Sequence, residues 1–176
     1  MDLIHIDIEQ LRIQPYALFE NQWLLLTSGD FQQNHFNAMT IGWGSIGCMW
    51  GKPFIQVVVR PIRHTYKFLE TYETFTVCAF PPEYRDALQL LGSTSGRDLD
   101  KIAQSGLIPM ASQVVAAPAY RQAELVIECR KSYWQDMDPA HFLNQAIHAN
   151  YPAQDYHRIY FGEILSVQAN ARYIAA

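Results

Sequence analysis

Between Gln22 and Pro82 the chain offers four runs with strand character and one short stretch with helix character, and this uneven interleaving limits the fold more than any other feature. QWLLLTSGD (22–30) reads as a buried strand ending at a Gly-Asp turn. NAMTIGW (37–43) reads as a second strand after a short loop. PFIQVVVRP (53–61) is the clearest strand, rich in β-branched residues and closed at both ends by proline. HTYKFLETY (64–72) has room for two helical turns, and ETFTVCAFPP (73–82) returns to strand and stops at two prolines.

The second half continues the pattern. YRDALQLLGSTSGRDLDKIAQSG (84–106) places Tyr84, Leu88 and Leu91 at helical spacing, then a polar loop, then a short helix around Leu99 to Ala103 that Gly106 ends. YRQAELVIECRKSYW (120–134) alternates, with Leu125, Ile127 and Cys129 on one side. YHRIYFGEILSVQANARYI (156–174) alternates too, with Ile159, Phe161, Leu165 and Val167 sharing a side with His157 and Glu163. HFLNQAIHANYPAQDYH (141–157) reads as an exposed insertion between two strands, a lid or a dimer contact. The sum is about six to eight strands and three short helices, which disfavours a doubly wound parallel sheet and favours an antiparallel barrel or sandwich with helices packed outside.

A chain of 176 residues, 49% of them apolar, has material for one ordinary core, and no linker or repeat divides it, so a single domain over 1–176 is expected. A net charge of −4 argues against sequence-independent nucleic-acid binding. The first residues carry no basic region followed by an apolar run, and no run approaches a membrane span. Cys48, Cys78 and Cys129 are odd in number and far apart, which fits reduced packing thiols in a cytoplasmic protein.

GWGSIG (42–47) is a literal match to the dinucleotide-binding pattern G-x-G-x-x-G. That pattern needs a helix after the glycines, and Gly51 and Pro53 leave room for barely one turn. The glycines fit better as places where a strand leaves the sheet and passes close to a ligand or another backbone.

Two segments have chemistry suited to an anion. In VVVRPIRHTYKF a strand ends at Arg60-Pro61 and a helix opens near Thr65, so Arg63 sits beside unpaired helical N–H groups, and the Thr65 hydroxyl is placed to cap the helix or touch a ligand. An ordinary capped helix beside a solvated arginine is the competing reading. In GSTSGRDLDK the hydroxyls of Ser93, Thr94 and Ser95 flank Gly96, and Arg97 and Lys101 are four apart, a spacing that puts both charges on one helical face. Asp98 would cap that helix or pair with Arg97. A solvated charge cluster is the alternative. His157 opens a strand as either a core residue or a hydrogen-bond donor, and Trp43 is either a core aromatic or a cover for a planar ring. No H-E-x-x-H, P-loop, G-x-S-x-G or paired Cys/His spacing occurs, and no metal centre is expected.

Taken in order, NAMTIGWGSIG, VVVRPIRHTYKFL, FTVCAF, SGRDLDKIAQSGL, LVIECR and YHRIYFGEIL resemble the flavin reductase-like, FMN-binding split-barrel family, which includes flavoredoxin, from about residue 15 to 170. The resemblance implies a mainly β fold, a Greek-key split β-barrel with peripheral helices, assembled as a homodimer with flavin near the subunit interface. It implies that Asn37, Ala38, Met39 and Thr40 line the flavin with Trp43 after them. Arg63, Thr65 and Tyr66 would lie near the FMN phosphate, with Ser95, Gly96, Arg97, Asp98 and Lys101 forming a second loop at the cofactor. His157 matches the histidine of the family's G-D-H or G-L-H pattern, although Asp155-Tyr156 precede it here and the glycine is missing. Lys101 and His157 are the candidates for tuning the flavin. The implied activity is NAD(P)H-dependent reduction of flavin or of a small acceptor through FMN rather than FAD. A carrier fed by a redox partner protein and a flavin-binding protein without turnover are the alternatives.

Overall fold

The computed structural model describes residues 3–175; residues 1, 2 and 176 of the expected domain lie outside the described residues. Along them run β1 (Ile4–Ile6), β2 (Leu24–Asp30), β3 (His35–Ile41), β4 (Gly44–Met49), β5 (Lys52–Val59), α1 (His64–Thr71), β6 (Thr74–Ala79), α2 (Arg85–Ser93), α3 (Lys101–Ser105), β7 (Pro109–Met110), β8 (Ala119–Tyr120), β9 (Leu125–Asp136) and β10 (Arg158–Ala169). Among the described residues no helix is long and apolar enough to cross a membrane.

One antiparallel path joins the strands in the order β3-β2-β6-β9-β10-β5-β4, and β1 pairs with the far end of β10. β3 and β4 are the two edges of this path, yet only Gly42 and Trp43 separate them in the chain. Three peptide links reach roughly 11 Å at most, so the sheet must curl until its edges meet at that end. The edges meet without pairing to each other, and the result is the Greek-key split barrel, mostly β with peripheral helices.

Burial on both faces explains why β2 reads as an unbroken apolar run. Leu24 and Leu26 point into the barrel with Val57, Phe75, Ile127 and Tyr160. Leu25 points out, into a second core where Ala38, Cys78, Leu88, Leu91 and Ile102 pack α2 and α3 onto the barrel wall. Each such leucine contributes about 1.5–3 kcal/mol by leaving water. α1 packs against β2 and β3, so its first turn lies beside the β3 edge.

Several expectations need correction, though not that for GWGSIG: Gly42 and Trp43 link β3 to β4, and Gly44 and Gly47 lie inside β4, which forms a hairpin with β5 through Trp50 and Gly51 at positive φ, 54° and 70°. A Cβ on Gly44 would sit 2.4 Å from the Gln56 carbonyl oxygen, so the close approach is to backbone. In β10 the barrel side carries Tyr160 and Ile164, then Val167 and Ala169 after a register shift near Ser166; Ile159, Phe161 and Leu165 face outward. Cys48 is exposed rather than packed, whereas Cys78 and Cys129 are buried free thiols.

Candidate functional site

Three segments distant in sequence meet along the outside of β3. Asn37 is buried on β3, and its Nδ2 donates to Thr65 Oγ1 at 2.7 Å, tying the first turn of α1 to the sheet. Thr65 accepts in this bond and keeps its hydroxyl proton for a ligand; Arg63 is the N-cap residue of α1, without a side-chain cap bond, so the expected threonine cap is not formed. The loop after α2 closes over the same spot. A Cβ on Gly96 would lie 2.2 Å from Asn37 Oδ1 and 3.4 Å from the His64 ring, so the loop approaches this closely only with glycine there.

Three cations surround this junction. Arg63 Nη1 donates to the Gly92 carbonyl at 3.1 Å, and Arg97 Nη1 to the Ile62 carbonyl at 3.1 Å. Lys101 Nζ is buried and donates to the Leu91 and Thr94 carbonyls at 2.7 and 2.9 Å. Arg63 and Lys101 therefore hold the negative, carbonyl end of α2. Among the described residues none of the three pairs with a carboxylate. Burial first and the nearby Arg63 charge second bring the Lys101 amine down to about 8. His64 is also lowered, by burial and then by Arg97, Lys67, Lys101 and His35. Its buried Nδ1 has no hydrogen-bond partner. Surplus positive charge beside an unmet ring nitrogen and a glycine-lined loop suits an anion with several acceptor oxygens.

The junction is walled by Met39, Arg63, Thr65, Ser95, Gly96, Arg97 and Lys101 around a cavity of about 130 Å³. A cleft of about 500 Å³ shares Gly96, Arg97 and Lys101 with it and extends past Asn37, Phe36 and Asp98. A third hollow of about 270 Å³ shares Gly92 and Ser93 and reaches Thr40, Gly42 and Trp23. Together they form a groove along β3. A further cavity of about 750 Å³ lies beyond α2 and contains none of these cations.

Not every expected residue joins the groove. The Ala38 side chain is fully buried in the outer core; Thr40 does line the groove, with its hydroxyl proton donated to the Leu88 carbonyl at 2.5 Å. Tyr66 turns away, toward Tyr160 and the Arg158 guanidinium. Asp98 does not cap α3; Asp100 does, accepting from Ala103 N at 3.0 Å. Arg97 precedes α3 and Lys101 opens it, so the two do not share a helical face. Trp43 and His157 form a second cluster with ring centroids 5.3 Å apart. Tyr151 holds His157 Nδ1 at 2.8 Å, and Arg60 lies over the Tyr151 ring while paired with Asp155. Burial, then Arg60 and Arg63, bring the His157 imidazole to about 4 against the pull of Asp155. It is neutral near pH 7.

Two contributors were not singled out from the sequence as site residues. His64 carried a signal, sitting between Arg63 and Thr65. Tyr151 carried none, since it comes from the insertion at 141–157, whose fold periodicity cannot give.

The family model described as "Flavin reductase like domain" matches residues 16–173. No curated protein matches. Among solved structures, an FMN-binding domain of a flavin reductases-like enzyme from Shewanella baltica superimposes with a TM-score of 0.70 at 15% identity, over 97% of this chain and 78% of its own. The flavoredoxin of Desulfovibrio vulgaris (Miyazaki F) gives 0.66 at 22% identity, over 88% and 73%. An NADH:FAD oxidoreductase from Streptomyces globisporus gives 0.64 at 15% identity, over 86% and 77%. At these identities the likeness establishes the shared fold.

Proposed function

The chain belongs to the flavin reductase-like domain family, and from that premise we propose that it binds FMN in the groove along β3 and, as a homodimer, uses it for NAD(P)H-dependent reduction of flavin or a small acceptor. FMN supplies the hydride and electron chemistry when bound. The residues supply the rest. Arg63 and Arg97 hold the phosphate, joined by Ser95 Oγ and the loop at Gly96, and His64 Nδ1 gains the partner it lacks. Asn37 and Met39 bound the ring's side of the groove, and Trp43, which follows Gly42 in the chain, forms with His157 a separate cluster available to the ring. Lys101 is already bonded to two carbonyls, so it acts as a fixed neighbouring charge that favours an electron-rich, reduced flavin. His157 is neutral and contributes a hydrogen bond but no charge. Neither residue serves as a general base, because hydride transfer to flavin requires none.

One observation carries this reading: the convergence of Arg63, Arg97 and an orphaned His64 Nδ1 on a loop that Gly96 lets close against Asn37. The test compares FMN with riboflavin. Losing a charge-assisted hydrogen bond costs roughly 1.5–3 kcal/mol, about 10- to 100-fold in affinity. Arg63→Ala should impose that loss on FMN and leave riboflavin nearly unchanged; equal losses for both refute the phosphate assignment.

The likeness to flavoredoxin supports a second reading, a carrier reduced by a partner protein. Anaerobic titration of the flavin-loaded protein separates the two. Bleaching by NADH or NADPH alone supports the reductase, and flavin that stays oxidised supports the carrier.

A further inference from the structure

The cavity beyond α2, about 750 Å³, has a composition that the flavin groove does not explain. We propose that it is a binding site for a small apolar molecule bearing one carboxylate, separated from the flavin groove by Leu88, which lines both, a reading that does not rest on whether flavin binds. Its volume lies within the roughly 300–1,000 Å³ typical of small-molecule sites.

Leu18, Phe80, Pro81 and Leu88 supply apolar walls, and its charge comes from three arginines, Arg12, Arg85 and Arg172. The carboxylate beside them, Glu124, is already engaged through Oε1. Its Oε1 accepts from Gln22 Nε2 at 2.7 Å, from the Tyr173 hydroxyl at 2.7 Å and from Arg172 Nη1 at 2.9 Å. Glu124 thus neutralises Arg172 alone. Arg12 donates to the Glu9 and Leu11 carbonyls, and Arg85 to the Asn21 and Gln22 carbonyls. Among the described residues neither has a carboxylate partner. A guanidinium carries five N–H donors, so both keep donors for a ligand. Arg85 Cζ lies over the Trp23 indole, 3.2 Å from the ring centre, a contact that restrains the guanidinium for carboxylate recognition.

The backbone around the cavity is irregular in the way ligand sites often are. Residues Ala17–Gln22 form a π-helical turn, and Trp23 follows at φ 62°, ψ 156°, a conformation rare outside glycine. Apolar walls with two uncompensated guanidiniums match one anionic head on an apolar body.

The test is a nitrogen-15 NMR titration of the full chain with octanoate, 1-octanol and acetate. Octanoate should shift the amides of Leu18, Gln22 and Leu88, octanol should bind roughly tenfold more weakly, and acetate should not saturate. Arg12→Gln and Arg85→Gln should each weaken octanoate roughly tenfold and leave octanol unchanged. Ala17→Trp should fill the chamber and abolish the shifts. If Arg85→Gln fails to fold, Arg12→Gln, an exposed position, decides the point. Equal affinity for octanoate and octanol overturns the proposal. So do shifts confined to Asn37–Thr40 and Ser95–Lys101, an absence of shifts, or sedimentation showing that octanoate only dissolves a dimer seated on this cavity.

Discussion

His157 shows how neighbours decide what a residue type can do. A strand-opening histidine reads as a switch near neutral pH, yet burial beside Arg60 and Arg63 brings it to about 4, below its ordinary 6.5, despite Asp155. The unfolded chain then binds this proton more readily than the folded one between about 6.5 and 4. Stability must therefore fall as pH drops through that window and be unaffected by this group above it. Its imidazole proton resonances should titrate near 4. His157→Asn should lessen the acid loss seen by chemical denaturation at about pH 7 and about pH 4.5; an unchanged slope would mean another group sets it. Gly96 makes the complementary point. From the sequence it was a flexible loop residue, but in the fold it is the one place where a methyl group would collide with Asn37. Gly96→Ala should weaken FMN binding roughly tenfold or more while shifting the melting temperature little, because the loop can retreat from Asn37 without disturbing the core.

At the level of elements, legibility followed how many faces each strand buries. β9 was readable because Leu125, Ile127 and Cys129 pack inside the barrel as their alternation suggested. β10 misled because both its faces are apolar: Tyr160 and Ile164 face in, Phe161 and Leu165 face out, and a register shift near Ser166 swaps the parity. Alternation is informative only when one face is wet. The α2–α3 loop was found as a charged segment, but that Lys101 would fold back to cap α2 depends on tertiary contact that spacing does not encode. β4 is the clearest element-scale test. If Gly44 is glycine because the Gln56 carbonyl and the Phe19 ring leave no room, Gly44→Ala must part β4 from β5 or displace Phe19. A loss of about 1–3 kcal/mol in denaturation midpoint analysis is expected. A silent substitution would mean the hairpin was never that tight.

For the whole molecule, the groove lies along an edge strand and the outward face of the barrel is unusually aromatic. Trp50 in the β4–β5 turn, Phe54 on β5, Tyr133 on β9 and Phe161 on β10 form one cluster of ring contacts, with Trp50 66% and Tyr133 44% exposed. Aromatics massed on solvent-facing strands are what an association surface requires, since monomers rarely expose large apolar patches. The proposed homodimer would cover this face, which accounts for Phe161 looking like a core residue in the sequence while lying outside the barrel. The expectation is concrete. Sedimentation equilibrium at micromolar concentration should show two copies, and Trp50→Lys with Tyr133→Lys should return the chain to one copy by placing like charges opposite each other. Because Arg63 and Arg97 are not part of this aromatic cluster, the monomeric variant should keep the phosphate contacts proposed for them. If it also keeps wild-type FMN affinity, one chain completes the groove. If affinity falls while the fold persists by circular dichroism, the second copy supplies part of the groove's wall. A wild-type protein that sediments as a single copy at every concentration would remove the dimer from this account and leave the aromatic face to another partner.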